Sequence, residues 1–145
     1  MLQVIKDPYK DRYIIVGNRS QLHPERNGFD YTKAEAECVM RKICLLSAAD
    51  AVQDEAYDKA DSFLSNFAGK PVHLFDTSED LYQDDLDAMK RLAEIVGEHC
   101  YDRSEADQQC IEMLRTAFRS GASLCSLLSI VSHSKQKRRE PMSYF

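Results

Sequence analysis

The sequence predicts an α+β fold in which helices dominate: about five helices pack around an apolar C-terminal helix, with a small N-terminal β-hairpin. Three observations predict it. Apolar residues recur at helical spacing through most of the chain after position 32. Two short β-prone runs separated by a turn lie before it. Glycine and proline are scarce, at 5 and 4 of 145 residues, which excludes a loop-dominated architecture and leaves one domain as the expectation.

The beginning of the chain is predicted to form the hairpin. Residues 2–6 and 12–16 are β-prone, and Pro8 lies in the short loop between them. Because an isolated hairpin is marginally stable in water, we expect it to lie on helices or to pair with another strand. The apolar run 72–75 is the candidate for a third short strand. Residues 17–30 are polar and rich in turn formers, which predicts a surface loop.

The first helices are predicted from a capping signal and from a limit on length. Thr32 and Glu35 have the spacing of a capping box, so a helix is expected to begin at 33. One straight helix over 33–67 would be about 52 Å long at 1.5 Å per residue, which is longer than a compact chain of this size is wide. We therefore expect two helices, over 33–48 and 51–68. A single long helix used for dimerisation is the alternative.

Three further helices follow, and capping or stop signals bound them. These signals are Thr77 to Asp80 and the region 97–101 for the third helix, Ser104 and Ser120-Gly121 for the fourth, and Ser123 for the last. Apolar residues of the last helix, over 124–131, occupy most of its circumference. Such a helix is expected to be central in the core, and burial by a partner is the alternative.

Charge is distributed unevenly around a net value of −5. Residues 31–100 contain seven basic and fifteen acidic side chains, whereas residues 101–145 contain seven basic and five acidic ones. An acidic middle suits a basic protein surface, and a basic end attracts nucleic acid or an acidic partner. We divide the chain into a helical domain over 1–134 and a basic and aromatic tail over 135–145. The candidate partner-binding residues are Glu79, Asp80, Asp84, Asp85, Asp87, Lys135, Lys137, Arg138, Arg139, Tyr144 and Phe145.

Cysteine usage and missing motifs limit the classes of function. Each of the five cysteines lies in an apolar helical pattern and no secretory signal is present, which predicts reduced, buried thiols and a cytoplasmic location. The histidines are scattered and no C-x-x-C occurs, so no metal site is predicted. No two glycines lie closer than eleven residues, which excludes a glycine-rich phosphate loop. We therefore expect no cofactor, and the lack of a long apolar run predicts no membrane contact.

Three hypotheses of function remain. The first is a non-enzymatic, cytosolic protein-binding module, an adaptor, inhibitor or regulator, whose partner has a basic surface or is a second copy of the chain. The second is a nucleic-acid-binding regulator that uses a degenerate helix-turn-helix, for which Ala117, Gly121 and Leu127 have suitable spacing, together with the basic cluster. The third is a small enzyme with a site between loop 17–30 and the acidic helix. A deep pocket that joins His23 or His73 to a buried carboxylate would support the third hypothesis.

Overall fold

The structure is a computed structural model that describes residues 2–17, 30–76, 83–98 and 102–139, with backbone only for 134–139. Within these ranges lie a two-stranded hairpin and five helices. The elements are β1 (Gln3–Lys6), β2 (Tyr13–Val16), α1 (Lys33–Gln53), α2 (Tyr57–Ala68), α3 (Gln83–Gly97), α4 (Glu105–Arg119) and α5 (Leu124–Arg139). The predicted helix-dominant α+β class is confirmed. None of these helices combines the length and the apolar character needed to cross a membrane.

The N-terminal hairpin is confirmed, and it lies on α1. The strands are antiparallel, with Val4 opposite Ile15, and the Ile15 side chain is fully buried. Asp7 organises the connecting turn, because its carboxylate accepts hydrogen bonds from the Tyr9 N–H and from Arg12 Nε, each at 2.8 Å. These charged and backbone donors hold the pKa of Asp7 below its usual value.

The third strand predicted over 72–75 is wrong. Within the described ranges the sheet has two strands, and residues 72–75 are irregular. On the side of β2 away from β1, the residue that pairs with it is Tyr31, whose carbonyl accepts the Tyr13 N–H at 2.9 Å. The N–H groups of Leu74 and Phe75 bind the Asp61 carboxylate, and that of Val72 binds Ser65 Oγ, so these donors are not available to a β-ladder.

Helices α1, α4 and α5 begin where the sequence predicts them, whereas α2 does not. Thr32 Oγ1 accepts the Glu35 N–H at 3.2 Å, and a Glu35 carboxylate oxygen accepts the Thr32 N–H at 2.8 Å, which completes the capping box. Ser104 and Ser123 each accept the N–H of the third residue after them, at 3.2 Å and 3.1 Å. These contacts satisfy N–H groups that have no partner inside the helix.

The region 33–68 forms two helices, as predicted, although α1 continues past the predicted end at 48 and reaches Gln53, and α2 begins at Tyr57 rather than at 51. The turn contains Glu55, whose φ of 57° is left-handed. The Ala56 N–H donates to the Ala51 carbonyl at 2.8 Å, which is the long hydrogen bond of a Schellman motif. The turn therefore closes α1 with the usual geometry but with a glutamate where glycine is the common residue.

The central element is α1, and the prediction of a central C-terminal helix is wrong. Helices α2, α3 and α4 and both strands pack on α1, whereas α5 packs on α3 and α4. The buried side chains of α1 include many small ones, which let its neighbours approach closely: Ala36, Cys38, Val39, Lys42, Ile43, Cys44, Leu45, Ala48, Ala49, Ala51 and Val52. Helix α5 buries one stripe, Leu124, Leu127 and Val131, and its Ser126 and Ser129 are exposed. The serines therefore mark a solvent-exposed face of α5, which the high number of apolar residues in this helix does not indicate.

Two cations join the C-terminal ends of α2 and α4. Arg115 Nε donates to the Phe67 carbonyl at 3.0 Å, and Lys70 Nζ donates to the Arg119 carbonyl at 2.6 Å. The last carbonyls of a helix lack partners within the helix, so each end is satisfied by a side chain from the other helix or its exit. Gly69 has a φ of 71° at this crossing, and a Cβ there would lie 2.6 Å from an Arg115 guanidinium nitrogen.

Candidate functional site

The acidic residues at the start of α3 form the first candidate surface. Asp84, Asp85 and Asp87 are termed the acidic turn; Asp84 and Asp87 are exposed, and Asp85 is half-buried. Within the described ranges no lysine, arginine or histidine lies within ion-pair distance of them. The Gln83 amide donates to the Asp87 carboxylate at 2.9 Å. Asp84 and Asp85 lie in the first turn of α3, where the helix dipole favours carboxylates.

Helix α5 begins beside the acidic turn. The Cys125 Sγ lies 3.9 Å from the Asp84 carbonyl oxygen. The predicted cations belong to the other end of the same helix: Lys135, Lys137, Arg138 and Arg139. At 1.5 Å per residue they follow Cys125 by about 15 to 21 Å along the helix. The acidic and basic residues predicted as one binding set therefore lie at two separate places.

The remaining predicted site residues lie outside the described residues. They are Glu79, Asp80, Tyr144 and Phe145, and residues 18–29 of the predicted loop share this status. The predicted boundary between a domain over 1–134 and a tail over 135–145 falls inside α5, whose backbone is helical to Arg139. The roles assigned to these residues stay predictions.

The thiols differ in exposure. Cys38, Cys44 and Cys110 are buried thiols, as predicted, but Cys125 is exposed because it lies on the outer face of α5. Cys100 lies outside the described residues. Burial raises the pKa of Cys38 to about 11. Because the thiolate is the reactive form, Cys38 is unsuited to be a nucleophile near neutral pH.

A groove of about 350 Å³ runs between α1 and α4. Arg41 is the cation among its lining residues, and its guanidinium lies 2.7 Å from the Glu112 carboxylate and 3.8 Å from that of Glu37. These acids already neutralise Arg41. The groove therefore offers no unpaired positive charge to an anionic substrate.

A buried ion pair joins α1 to the first turn of α4. Lys42 is 1% exposed, and its Nζ donates to the Asp107 carboxylate and, at 2.8 Å, to the Asp102 carbonyl. A charge in the protein interior is tolerated only when it is paired and hydrogen-bonded. The pair therefore sets the position of α4 on α1. The Lys42 ammonium and the Asp107 carboxylate bind each other.

Asp61, on α2, is a further buried acidic side chain, with 3% exposure. Its carboxylate accepts the backbone N–H groups of Leu74, Phe75 and Asp76 at 3.0 to 3.2 Å. Burial raises the pKa of Asp61 above the usual value, a side-chain hydrogen bond with Asp76 acts in the same direction, and the backbone donors oppose both. The side chain holds the exit of α2 in place.

His73 and Asp76 lie at the two ends of the segment that Asp61 holds. His73 Nδ1 is 3.5 Å from an Asp76 carboxylate oxygen, and one ligand atom from each of Asp61, His73 and Asp76 lies within 4.8 Å of the others. These three residues are termed the Asp61 cluster. The structure thus joins His73 to a buried carboxylate, but the groove between α1 and α4 and a shallow cavity of about 490 Å³ beside Met113 are lined by other residues.

No family model, curated protein or solved structure matches this chain. The charges, burial and contacts of the chain therefore carry what is proposed for its function.

Two of the buried charges were missed at the level of sequence, although periodicity contains a signal for them. Lys42 follows Cys38 by four residues and precedes Leu45 by three, on one face of α1, and Asp61 has the same relation to its apolar neighbours on α2. A charged residue within an apolar stripe is expected to be buried with a partner. His73 lies in an irregular segment, where periodicity has no meaning, so no pattern predicts its place.

Proposed function

We propose that the protein is a non-enzymatic protein-binding module, an adaptor, inhibitor or regulator, whose acidic turn binds a basic surface on another protein. One observation supports this function best. Asp84, Asp85 and Asp87 lie on one helix turn, two of them exposed, and no cation of the described chain lies within ion-pair distance. Lysine or arginine side chains of a partner would supply the missing counter-charges.

The surroundings of the acidic turn suit a protein partner. Cys125 and Ser126 at the start of α5 are exposed, and Cys125 Sγ lies 3.9 Å from the Asp84 carbonyl oxygen, so a partner that contacts the acidic turn can also contact these small side chains. Charges at the rim of an interface mainly speed association and select the partner. Binding of this kind weakens as salt screens the charges.

A second group of exposed acids supplies a matched control. Asp50, Asp54 and Asp58 lie at the junction of α1 and α2, and within the described ranges none of them lies in an ion pair. Replacing three aspartates by asparagine changes the net charge equally at either place. A difference in binding between the two triple variants therefore reports the position of the acids rather than the total charge.

The experiment has two steps. Affinity capture with the full chain from its native host identifies partners, and titration calorimetry with each purified partner then measures affinity at low and high salt. We expect Asp84→Asn/Asp85→Asn/Asp87→Asn to weaken binding about tenfold, because exposed ion pairs contribute roughly 0.5 kcal/mol each. The control triple variant at the junction of α1 and α2 should bind like the wild type.

Three results would contradict the proposal. Equal affinity of the wild type and the acidic-turn variant would remove the acidic turn as the binding surface. Loss of binding only in the control triple variant would show that the binding surface lies at the junction of α1 and α2. Affinity that does not change between low and high salt would exclude an electrostatic contact. Sedimentation equilibrium of the chain alone tests whether the partner is a second copy.

A nucleic-acid-binding role is the second candidate, favoured by the unbroken course of α5 into its basic end. The exposed face of α5 carries small side chains such as Ser126 and Ser129, which are poor readers of base edges, so contacts would be to phosphates. Replacing Lys137, Arg138 and Arg139 by alanine should then lower the salt slope of binding by about three units at most. Failure to bind DNA or RNA at low salt would end this hypothesis.

A further inference from the structure

The Asp61 cluster brings three metal-ligand side chains together away from the acidic turn. A nitrogen of His73 and carboxylate oxygens of Asp61 and Asp76 lie within 4.8 Å of one another, with 3.5 Å between His73 Nδ1 and Asp76. Ligand atoms bound to one ion at its usual bond lengths lie about 3 to 4 Å apart. Small rotations of the exposed His73 and Asp76 side chains would therefore bring all three groups to one ion.

The backbone that carries two of these ligands is already fixed. Asp61 binds the N–H groups of residues 74–76, so His73 and Asp76 stand at either end of a segment anchored to α2. Phe75 within the segment is 2% exposed and stacks on Tyr57, with 6.3 Å between ring centroids. The entropy of ordering the backbone of these ligands is thus lost on folding, before an ion binds, and only the His73 and Asp76 side chains remain to be ordered.

The electrostatics of the cluster favour a cation. Asp61 and Asp76 place two carboxyl groups together, and in the described part of the chain neither has a lysine or arginine within ion-pair distance. Burial and the contact with Asp76 raise the pKa of Asp61, as expected for adjacent carboxyl groups. The backbone N–H donors of residues 74–76 offset part of this unfavourable energy, and a bound cation beside both carboxyl groups would offset more of it.

We propose that Asp61, His73 and Asp76 bind one divalent transition-metal ion of the kind that Zn²⁺ represents, with water completing its coordination. One imidazole nitrogen and two carboxylate oxygens are ligands that Zn²⁺ accepts in proteins. Mg²⁺ and Ca²⁺ prefer oxygen ligands alone, so the imidazole selects against them. The ion would fasten the exit of α2 to that helix. The acidic turn takes no part in this site.

The test is titration calorimetry with Zn²⁺ on the full chain that carries Cys125→Ser, so that the exposed thiol contributes no ligand. In this background, His73→Ala and Asp76→Asn should each remove one bound Zn²⁺ per chain or weaken its binding roughly tenfold or more. His133→Ala, which changes an exposed histidine of α5, is the matched control and should bind Zn²⁺ like the parent. His73 is 64% exposed, so its variant should unfold without metal at the same urea concentration as the parent.

Several outcomes would overturn the proposal. They are no Zn²⁺ binding by the Cys125→Ser protein, equal stoichiometry and affinity in the His73→Ala and Asp76→Asn variants, or tighter binding of Mg²⁺ or Ca²⁺ than of Zn²⁺. A thermal unfolding scan provides a second readout, because Zn²⁺ should raise the Tm of the parent but not of the variants. None of these results bears on the partner-binding proposal, which is tested with other variants and without metal.

Discussion

The Asp61 carboxylate accepts three consecutive N–H groups and so determines how the chain leaves α2. Residues 72–75 have the apolar character of a strand, but a backbone N–H has one strong partner, and here that partner is a side chain. A single buried acid has thus overridden the local preference for an extended strand. Sequence reasoning could not foresee this, because Asp61 and its donors are brought together only by folding.

The anchoring role of Asp61 leads to a prediction of stability. Asp61→Ala leaves buried N–H groups at Leu74 and Phe75 without their acceptor, and we expect the free energy of unfolding to fall by about 2 to 4 kcal/mol. Asp58→Ala, an exposed change on the same helix, should cost less than about 1 kcal/mol. Urea unfolding followed by circular dichroism measures both. Equal losses in the two variants would show that the Asp61 contacts contribute no specific stability.

Thiol exposure provides a second prediction for single residues. In the native protein, iodoacetamide should label Cys125 near pH 8 and leave Cys38, Cys44 and Cys110 unlabelled, since these three are buried and the pKa of Cys38 is raised to about 11. Peptide mass mapping identifies the labelled sites, and labelling in urea is the control in which every thiol reacts. Labelling of Cys38 as fast as Cys125 in the native state would contradict the burial described.

The boundaries of helices and strands are predictable where residues close in sequence determine them. Thr32 and Ser104 start their helices because a side-chain oxygen captures N–H groups within three residues, and such a contact is readable from the sequence. The predicted end of α1 comes too early, because the apolar pattern of this helix changes phase near 47–50. A helix buried on most of its circumference keeps no single phase, so the pattern cannot mark where it stops.

The turn between α1 and α2 offers a prediction at the scale of elements. Glu55 has a left-handed φ of 57°, which costs a residue with a Cβ roughly 1 to 2 kcal/mol. Glu55→Gly should therefore raise the free energy of unfolding by about 0.5 to 1 kcal/mol, after allowance for the flexibility of glycine in the unfolded chain. Glu55→Ala removes the same charge but keeps a Cβ, so it should show no comparable gain in urea unfolding. Equal stability of the two variants would contradict the conformational argument.

At the scale of the molecule, the charge asymmetry was predictable and the centre of the core was not. The acidic turn could be predicted because carboxylates at a helix start remain at the surface. The choice of α1 over α5 as the central helix depends on contacts between residues far apart in sequence, such as Lys42 and Asp107, which are 65 positions apart. The apolar composition of α5 predicts that α5 is the central helix. Composition does not show that α1 and α5 differ in how their small residues are arranged.

The Lys42 and Asp107 pair predicts how strongly α1 and α4 depend on each other. Lys42→Met removes the ammonium that Asp107 faces, and we expect a loss of about 3 to 5 kcal/mol in the free energy of unfolding. Lys42→Met/Asp107→Leu removes both charges and should be more stable than Lys42→Met alone. Chemical denaturation of the four proteins of this cycle measures the coupling. A double variant that is no more stable than Lys42→Met would contradict the ion-pair interpretation.

The crossed contacts of Lys70 and Arg115 have a consequence for local opening. Each cation belongs to one helix or its exit and donates a hydrogen bond to a carbonyl at the end of the other helix, across 48 and 49 positions of sequence. Fraying of the C-terminal end of either helix therefore breaks a hydrogen bond to the C-terminal end of the other. Amide protons in the closing turns of α2 and α4 should exchange with deuterium at a common rate, as one cooperative foldon.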